Sequence, residues 1–478
     1  MIKSETIQKY LLYILAVVVV VLNVSLMFDN VVWGDEAFSA NTAKNSMFGI
    51  MQILYYLDCH PPLHYIWIKL FGDVFGHTIP IYHLASLIPF VTGILMAVTL
   101  LRKRFGNIPA AFFVVISGMA ASCLEYNLEI RMYSLAFLGV LGTFYCSYRV
   151  ISTGKKSAWI GMVLWALEAA YSHYYALVTV GIMLFCTFVV VWIKHRGKSW
   201  IKGFVAILAF LAGYAPWMVF LYTAMKTISQ TWWMTEVLSF KKTISMIFGY
   251  SKFNYIILFL VITLGVVIFI KDVKKRTDEF YAIAVGVATI SGTVAFAYFL
   301  SYVMKPMLAQ RYMYPLSAVT FSILVIEISR VFSIAKEYGL KIEKDKFQVI
   351  VKGIALGFLA LLFVIGISNY KNYRDLTIDQ SIKTSATLSL IGEPEEDVVL
   401  VTNGVKHLGW SVLPCYFPET DYFNGNYMCT EEKKFWYFNP TPMTEAELSQ
   451  LKEMGYDITS YGQMQISQYL FTLYYVER

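Results

Sequence analysis

The stretch VVWGDEAFSANTAKN…YYLDCHPPLHYIWIKLFG, residues 31–72, sets Asp35 and Glu36 side by side and adds Asp58 and His60, directly after a wholly apolar segment. Carboxylates beside an imidazole serve two kinds of chemistry. They act as a general base toward an incoming hydroxyl, or as oxygen and nitrogen ligands for a divalent cation (Mg, Mn or Zn) that steadies phosphate charge. A solvated, hydrogen-bonded loop surface accounts for any one of these residues; the four together point to chemistry.

Three later stretches carry further candidates. CLEYNLEIRMYSL places Glu125, Glu129, Arg131 and Tyr133 at the junction of two apolar runs, where ionisable groups are costly unless paired or used. A Glu129–Arg131 pair closing a helix end explains them equally well. In EAAYSHYYALV, His173 stands among Tyr171, Tyr174 and Tyr175. An interfacial aromatic anchor accounts for the tyrosines, and the histidine adds a case for a ligand role. KPMLAQRYMYPLSA offers Lys305, Arg311 and Tyr312. The fork of donors on arginine matches phosphate oxygens, and a cation reaching back to the membrane surface accounts for Lys305 equally well.

The elements that must position these residues follow from composition. The 478 residues are 58% hydrophobic and 15% charged, with a mean hydropathy of +0.57; soluble domains average roughly 45–50% apolar and about 25% charged. The chain therefore reads as a multi-pass membrane protein. Its net charge of +7 comes from short basic clusters between apolar runs, with no basic patch interleaved with aromatics, so nucleic acid is not expected as a partner. Apolar runs at 10–28, 80–101, 108–124, 132–148, 158–173, 175–193, 203–223, 255–270, 281–304, 313–334 and 348–368 predict about eleven transmembrane helices, within 10–13. The first, preceded by Lys3 and Lys9 and followed by no small-residue cleavage site, reads as an uncleaved anchor.

With the N-terminus cytoplasmic, RKRFG, RVISTGKKS, KHRGKSWIK, KDVKKRTDEF and AKEYGLKIEKDKFQ all fall inside, as the positive-inside rule requires. The odd number of spans then leaves the segment after residue 368 outside. The candidate residues fall in outside loops, and the first such loop, 29–79, is longer than any inside one. There, DEAFSANTAKNSMFGIMQILYYLD predicts an amphipathic helix lying along the membrane surface, and Pro61 and Pro62 predict a reversal into a second such helix. That reversal is expected to bring Asp58 and His60 back toward Asp35 and Glu36.

After NYKNYRD the apolar runs stop. DVVLVTNG predicts a buried strand and a turn at Asn403–Gly404, Thr444 before Glu445 and Glu447 a helix start ending at Gly455, and QYLFTLYYVE a closing strand. The expected division is a transmembrane domain, 1–368, and an extracytoplasmic α/β domain, 369–478. Of six cysteines, Cys123, Cys146 and Cys186 read as buried small apolar groups, and Cys415 and Cys429 are a candidate pair.

Taken together, WGDEAFS, DCHPPLHY, EIRMYSL and QRYMYP resemble the polyprenyl-phosphate-sugar-dependent glycosyltransferases of the C-type membrane fold (GT-C), in the protein O-mannosyltransferase and aminoarabinose-transferase superfamily. The resemblance covers about residues 1–330. It implies a hexosyl- or pentosyltransferase in the cell membrane, using a polyprenyl-phosphate sugar (undecaprenyl phosphate in bacteria) on the outer face. The acceptor would be a protein, a lipid or a cell-wall polymer, with inversion at the anomeric carbon. It further implies Asp35 as catalytic carboxylate with Glu36 as helper or structural partner, His60 and Glu129 near metal or phosphate, and Arg311 on the lipid phosphate. Asp58 departs from the usual pattern.

Two alternatives stay open. A lipid-linked glycan polymerase or ligase shares span count, face and lipid, but a long late external loop with several arginines would mark it. A transporter or flippase would keep its ionisable residues within the spans, which here hold few, such as Glu168 and Glu327.

Overall fold

The computed structural model describes residues 2–58, 60–194, 199–231, 234–338, 344–405, 407–425 and 432–478. Its helices are α1 (Ile2–Ser25), α2 (Gly34–Ala43), α3 (Met47–Tyr56), α4 (Leu63–Phe75), α5 (Ile79–Met96), α6 (Arg102–Phe105), α7 (Asn107–Met119), α8 (Ala121–Tyr126), α9 (Tyr133–Thr153) and α10 (Lys156–Ser172). They continue as α11 (Tyr174–Lys194), α12 (Ser199–Thr231), α13 (Phe240–Ile247), α14 (Phe253–Asp272), α15 (Asp278–Val303), α16 (Leu316–Tyr338), α17 (Lys344–Ile391), α18 (Leu413–Tyr416) and α19 (Glu445–Glu453). Among the described residues nine helices are long and apolar enough to cross a membrane. The remaining two expected spans form α7, of 13 residues, and α10, of 17. Those are about 20 and 26 Å long, short of a hydrocarbon core of about 30 Å.

The chain divides into two compact units: Met1–Val24, Met51–Trp67 and Leu84–Lys371 form the first, and Ser25–Ile50, Ile68–His83 and Asn372–Arg478 the second. In the first, α9 is the central helix, packed against α10, α11, α15 and α16 and buried along nearly its whole length. Glycines let it approach α10. A Cβ on Gly139 would fall 2.8 Å from the Ala169 backbone nitrogen, and one on Gly142 2.3 Å from Trp165 Cδ2. Small residues at such crossings allow the close backbone contact that membrane helices use in place of a hydrophobic driving force. The outer helices expose their apolar residues instead, among them Leu208 and Leu211 on α12, Phe259 and Ile262 on α14, and Leu361 and Val364 on α17. That surface suits hydrocarbon.

The second unit contains a five-stranded mixed sheet. Its strands β1 (Val398–Thr402), β2 (Tyr422–Asn424), β3 (Lys434–Asn439), β4 (Asp457–Ile466) and β5 (Tyr469–Glu477) lie in the order β2-β1-β3-β5-β4. β1 runs parallel to both β2 and β3, and β5 runs antiparallel to β3 and β4. Val401, Phe435, Tyr437, Leu451, Tyr474 and Val476 form the core on one side. Gly404, with φ +72°, makes the expected turn. Thr444 caps α19 reciprocally: its Oγ1 accepts the Glu447 N–H, and Glu447 Oε2 accepts the Thr444 N–H at 2.7 Å.

The surface helix expected from Asp35 to Asp58 is instead two helices, α2 and α3. The break lies at Asn45, whose side-chain amide donates to the Asn41 and Thr42 carbonyls at 3.1 and 3.2 Å. A short polar side chain that bonds nearby backbone competes with helix continuation. Past the break, the Pro62 carbonyl accepts the first bond of α4 from Ile66, at 3.1 Å.

Candidate functional site

In the first unit, the loop before α4 and the loop before α9 bring Asp58, His60, Tyr65 and Arg131 together. His60 Nδ1 is 2.7 Å from Asp58 Oδ1, and the Tyr65 hydroxyl donates to Asp58 Oδ2 at 2.6 Å. Arg131 donates from Nη1 to the Tyr65 oxygen at 3.3 Å and reaches His60 Nε2 with Nη2 at 3.4 Å. The His60 ring thus lies between the Asp58 carboxylate, at Nδ1, and the Arg131 guanidinium, at Nε2. Arg131 is buried to 4% exposure. Its own backbone is fixed by a tight turn, Arg131 N–H to the Glu129 carbonyl at 2.6 Å, with Ile130 fully buried between them.

The electrostatics follow from that geometry. Burial by itself would raise the Asp58 carboxyl; the charge and hydrogen bond of His60, the Arg131 guanidinium and the Tyr65 hydroxyl outweigh it and hold the group well below the usual carboxylate range. At the second residue of α4, His64 is buried and pushed down to about 3, by desolvation first and then by the charges of Arg131 and His60, although its ring donates to the Ile130 carbonyl.

Next to this group stands an aromatic wall. His173, between α10 and α11, has its ring centroid 5.4 Å from that of Tyr312, 5.8 Å from Tyr133 and 6.1 Å from Tyr175. The Tyr175 N–H donates to His173 Nδ1 at 3.2 Å, which leaves the ring proton on Nε2. The charged groups whose fields reach His173 are His60, Arg131 and Arg311. Arg311 itself lies 5.9 Å from the Tyr312 ring centroid, and its field also reaches Tyr126 and Tyr133, both in company with that of Glu129. His60, Glu129, Arg131, Tyr133, His173, Arg311 and Tyr312 therefore form one neighbourhood at one end of the helical unit. Glu125 is exposed, as is Lys305 on the loop after α15.

Asp35 and Glu36 belong to the second unit, in the first turn of α2. Glu36 is buried, and its Oε2 accepts the Trp33 N–H at 3.2 Å, so it caps the helix. Asp35 is half-buried, and its carbonyl accepts the Ser39 hydroxyl at 2.9 Å. The turn is held by the far end of the chain: the Gly34 N–H donates to the Tyr469 hydroxyl at 3.0 Å, and Asn41 Nδ2 to the Ser411 carbonyl at 2.9 Å. The fields of Asp35 and Glu36 both reach Tyr469.

Several of these residues were not singled out from the sequence. Tyr65 and His64 lie within the quoted DCHPPLHY, where the i, i+7 separation of Asp58 and Tyr65 was the available signal. Tyr469 had none. Among the described residues no three His, Cys, Asp or Glu side chains gather as metal ligands. Asp58 and His60 are turned toward each other, and an arginine occupies the second ring nitrogen. Cys415 is half-buried beside α2, and desolvation pushes its thiol up to about 11; its candidate partner Cys429 lies outside the described residues.

No protein-family model and no curated protein matches the chain. Its architecture is that of solved membrane proteins. ArnT from Cupriavidus metallidurans in the apo state is similar with a TM-score of 0.62 at 12% identity, over 97% of each chain. The same protein bound to undecaprenyl phosphate gives a TM-score of 0.61 at 12% identity, again over 97% of each. The likeness is one of fold: a polytopic helical membrane protein with a small C-terminal sheet domain.

Proposed function

We propose that the chain is an integral-membrane glycosyltransferase that moves a sugar from a polyprenyl-phosphate donor to an acceptor on the outer face of the cell membrane. Its N-terminus would be cytoplasmic and residues 369–478 extracytoplasmic. What carries the reading is the buried Arg131 set against His60 and Tyr65, with Arg311 and His173 in the same neighbourhood. Permanent cations among aromatics and imidazoles, on a fold shared with a protein solved with undecaprenyl phosphate, suit a phosphate on a lipid tail.

In this reading Asp35 accepts the proton of the acceptor hydroxyl as that oxygen bonds to the anomeric carbon. The bond from that carbon to the phosphate oxygen breaks, and the polyprenyl phosphate leaves with the electron pair. Arg131 and Arg311 hold the developing phosphate charge, and Asp58 fixes the His60 ring beside it. Glu129, Tyr133, His173 and Tyr312 line the phosphate end, and Lys305 meets the lipid at the surface. Glu36 supports Asp35 as the cap of α2. We assign charge neutralisation to the two arginines, since Asp58 and His60 already satisfy each other; a divalent cation would need oxygen donors from substrate. An acceptor that is itself a phosphate or carboxylate requires no base, and Asp35 would then position it.

The test is transfer in vitro from a panel of undecaprenyl-phosphate sugars, with wild type, Asp35→Asn and Arg131→Ala compared. One donor is consumed by the wild type, and either substitution removes most turnover. Failure to turn over any donor, or full activity of Asp35→Asn with a hydroxyl acceptor, defeats the mechanism.

A further inference from the structure

At the opposite end of α7 and α16 from the His60–Arg131 group lies a cavity of about 510 Å³, lined by the first turns of α1, by α6, by the start of α7, by Phe332 of α16 and by Lys352 of α17. Phe332 is 16 residues beyond the start of α16, about 24 Å along its axis. The lining carries four cations, Lys9, Arg102, Lys103 and Lys352, against one carboxylate, Glu5.

Elsewhere on this end of the unit, four basic residues are matched by acids. Arg104 pairs with Glu279 at 3.4 Å, Lys275 with Glu337 at 2.9 Å, Arg330 with Asp272 at 2.6 Å, and Lys194 with Asp278. Among the described residues none of the four cavity cations is in an ion pair. Lys9 and Arg102 lie 5.6 and 5.9 Å from the centroid of the Tyr13 ring, and Arg102 Nε donates to the Val98 carbonyl at 2.8 Å, which leaves its terminal nitrogens to the cavity. Asn107, also on the wall, has a buried Oδ1 with no hydrogen-bond partner among the described residues. The N-cap of α7 is Gly106, which supplies no side chain to the first-turn N–H groups beside the cations. Uncompensated charge of this kind, around a cavity with an orphaned acceptor, calls for an anion that also carries a donor.

The flanks say what kind. Along α1 the wall continues into exposed Leu11 and Ile14, and along α17 into exposed Ile350 and Ile354. Both helices are long and apolar enough to cross a membrane. We propose that this cavity binds the phosphate headgroup of an anionic phospholipid from the leaflet opposite the His60–Arg131 group. The phosphate sits among Lys9, Arg102, Lys103 and Lys352, a headgroup hydroxyl donates to Asn107 Oδ1, and the acyl chains lie along α1 and α17. Basic pockets at helix ends of this kind recognise lipid phosphates by charge, each cation contributing about a five-fold gain in affinity.

The experiment is native mass spectrometry of the full chain in detergent, titrated with phosphatidylglycerol, with phosphatidylcholine and with inorganic phosphate. Phosphatidylglycerol binds about ten-fold or more tighter than phosphatidylcholine, and inorganic phosphate does not displace it at equal concentration. The double variant Lys9→Gln/Lys352→Gln weakens phosphatidylglycerol binding about 25-fold, Lys103→Gln about five-fold, and Lys275→Gln, whose lysine is ion-paired with Glu337, not at all. Equal binding of the two lipids, or unchanged affinity in the double variant, overturns the proposal. Full displacement by inorganic phosphate would make this a free-anion site and overturns it too. Should the double variant fail to fold, Lys103→Gln alone decides, and retention of wild-type affinity there has the same force.

Discussion

Asp58 and His60 are bound to each other through a 2.7 Å contact between Oδ1 and Nδ1, while the second carboxylate oxygen takes the Tyr65 hydroxyl at 2.6 Å. Both oxygens are thus used to fix two side chains that in turn face Arg131. The pair reads as the support of the arginine, with the carboxylate anchoring the imidazole and phenol that hold its two ends.

Removing that support has a graded cost. Asp58→Ala strands a ring N–H and a hydroxyl in a mostly buried setting and costs about 3 kcal/mol, the range for breaking a buried pair by deleting one partner. Asp58→Asn keeps an acceptor oxygen and costs about 1–2 kcal/mol. Thermal unfolding in detergent separates them; an alanine variant as stable as the asparagine one removes Asp58 from this role.

What could be read from the sequence was local. Apolar run length marked nine of the eleven expected spans, Asn403–Gly404 a turn, and Thr444 with Glu447 a cap, because each depends on residues close in the chain. The break at Asn45 was hidden because the apolar periodicity of the stretch continues across it, while side-chain bonds mark it: Asn45 to the Asn41 and Thr42 carbonyls, and the Gly49 N–H to the Ser46 hydroxyl. The candidate residues Glu129, Arg131, His173, Arg311 and Tyr312 were chosen loop by loop, and the helical bundle gathers them. Their support was not legible. Tyr65 looks like one more aromatic in an apolar helix, and the bond from Gly34 to Tyr469 joins residues 435 apart in sequence. The strand order β2-β1-β3-β5-β4 likewise depends on pairings that no local pattern encodes.

His64 makes the first unit acid-sensitive. The folded ring stays neutral down to about 3, whereas the unfolded chain takes up a proton near the ordinary value of 6.5. Protons therefore favour unfolding between those values: stability is complete above pH 6.5 and declines as pH falls toward 3, by about 1.4 kcal/mol per pH unit. His64→Gln, with nothing to titrate there, flattens the slope. Unfolding midpoints measured from pH 7.5 to 4.5 check this, and identical slopes for both proteins refute it.

Arg131 grips two partners with two nitrogens, and lysine offers one. In the proposed transferase, Arg131→Lys keeps the charge yet loses about 10- to 100-fold in kcat/KM, and Arg131→Ala about 100- to 1,000-fold. Arg311→Ala raises the apparent Kd for the lipid donor more than it slows turnover at saturation. Steady-state kinetics in mixed micelles distinguish the two arginines; an Arg131→Lys enzyme at wild-type rate would dismiss the two-point grip, and unchanged donor affinity would take Arg311 off the phosphate.

Gly34 is the residue on which the geometry of Asp35 depends. A Cβ there would stand 2.7 Å from both the Tyr469 hydroxyl and His407 Cβ, well inside contact distance, so Gly34→Ala must push away either the side chain that accepts its N–H or the segment leading into α18. We expect a loss of about 1–3 kcal/mol, the usual cost of forcing a methyl into a packed site. Tyr469→Phe keeps the ring and deletes only the acceptor for the Gly34 N–H, costing about 1 kcal/mol. Both loosen the first turn of α2 and with it the carboxylate proposed as base. Their transfer rates should therefore fall further than their stabilities alone require, with Gly34→Ala below Tyr469→Phe. Because the bond they share joins the start of α2 to the start of β5, the double variant should be no worse than Gly34→Ala by itself. Additive losses in the double variant would show that the two residues act separately, and a normal rate in Tyr469→Phe would show that Asp35 does not need the hydroxyl to hold its place.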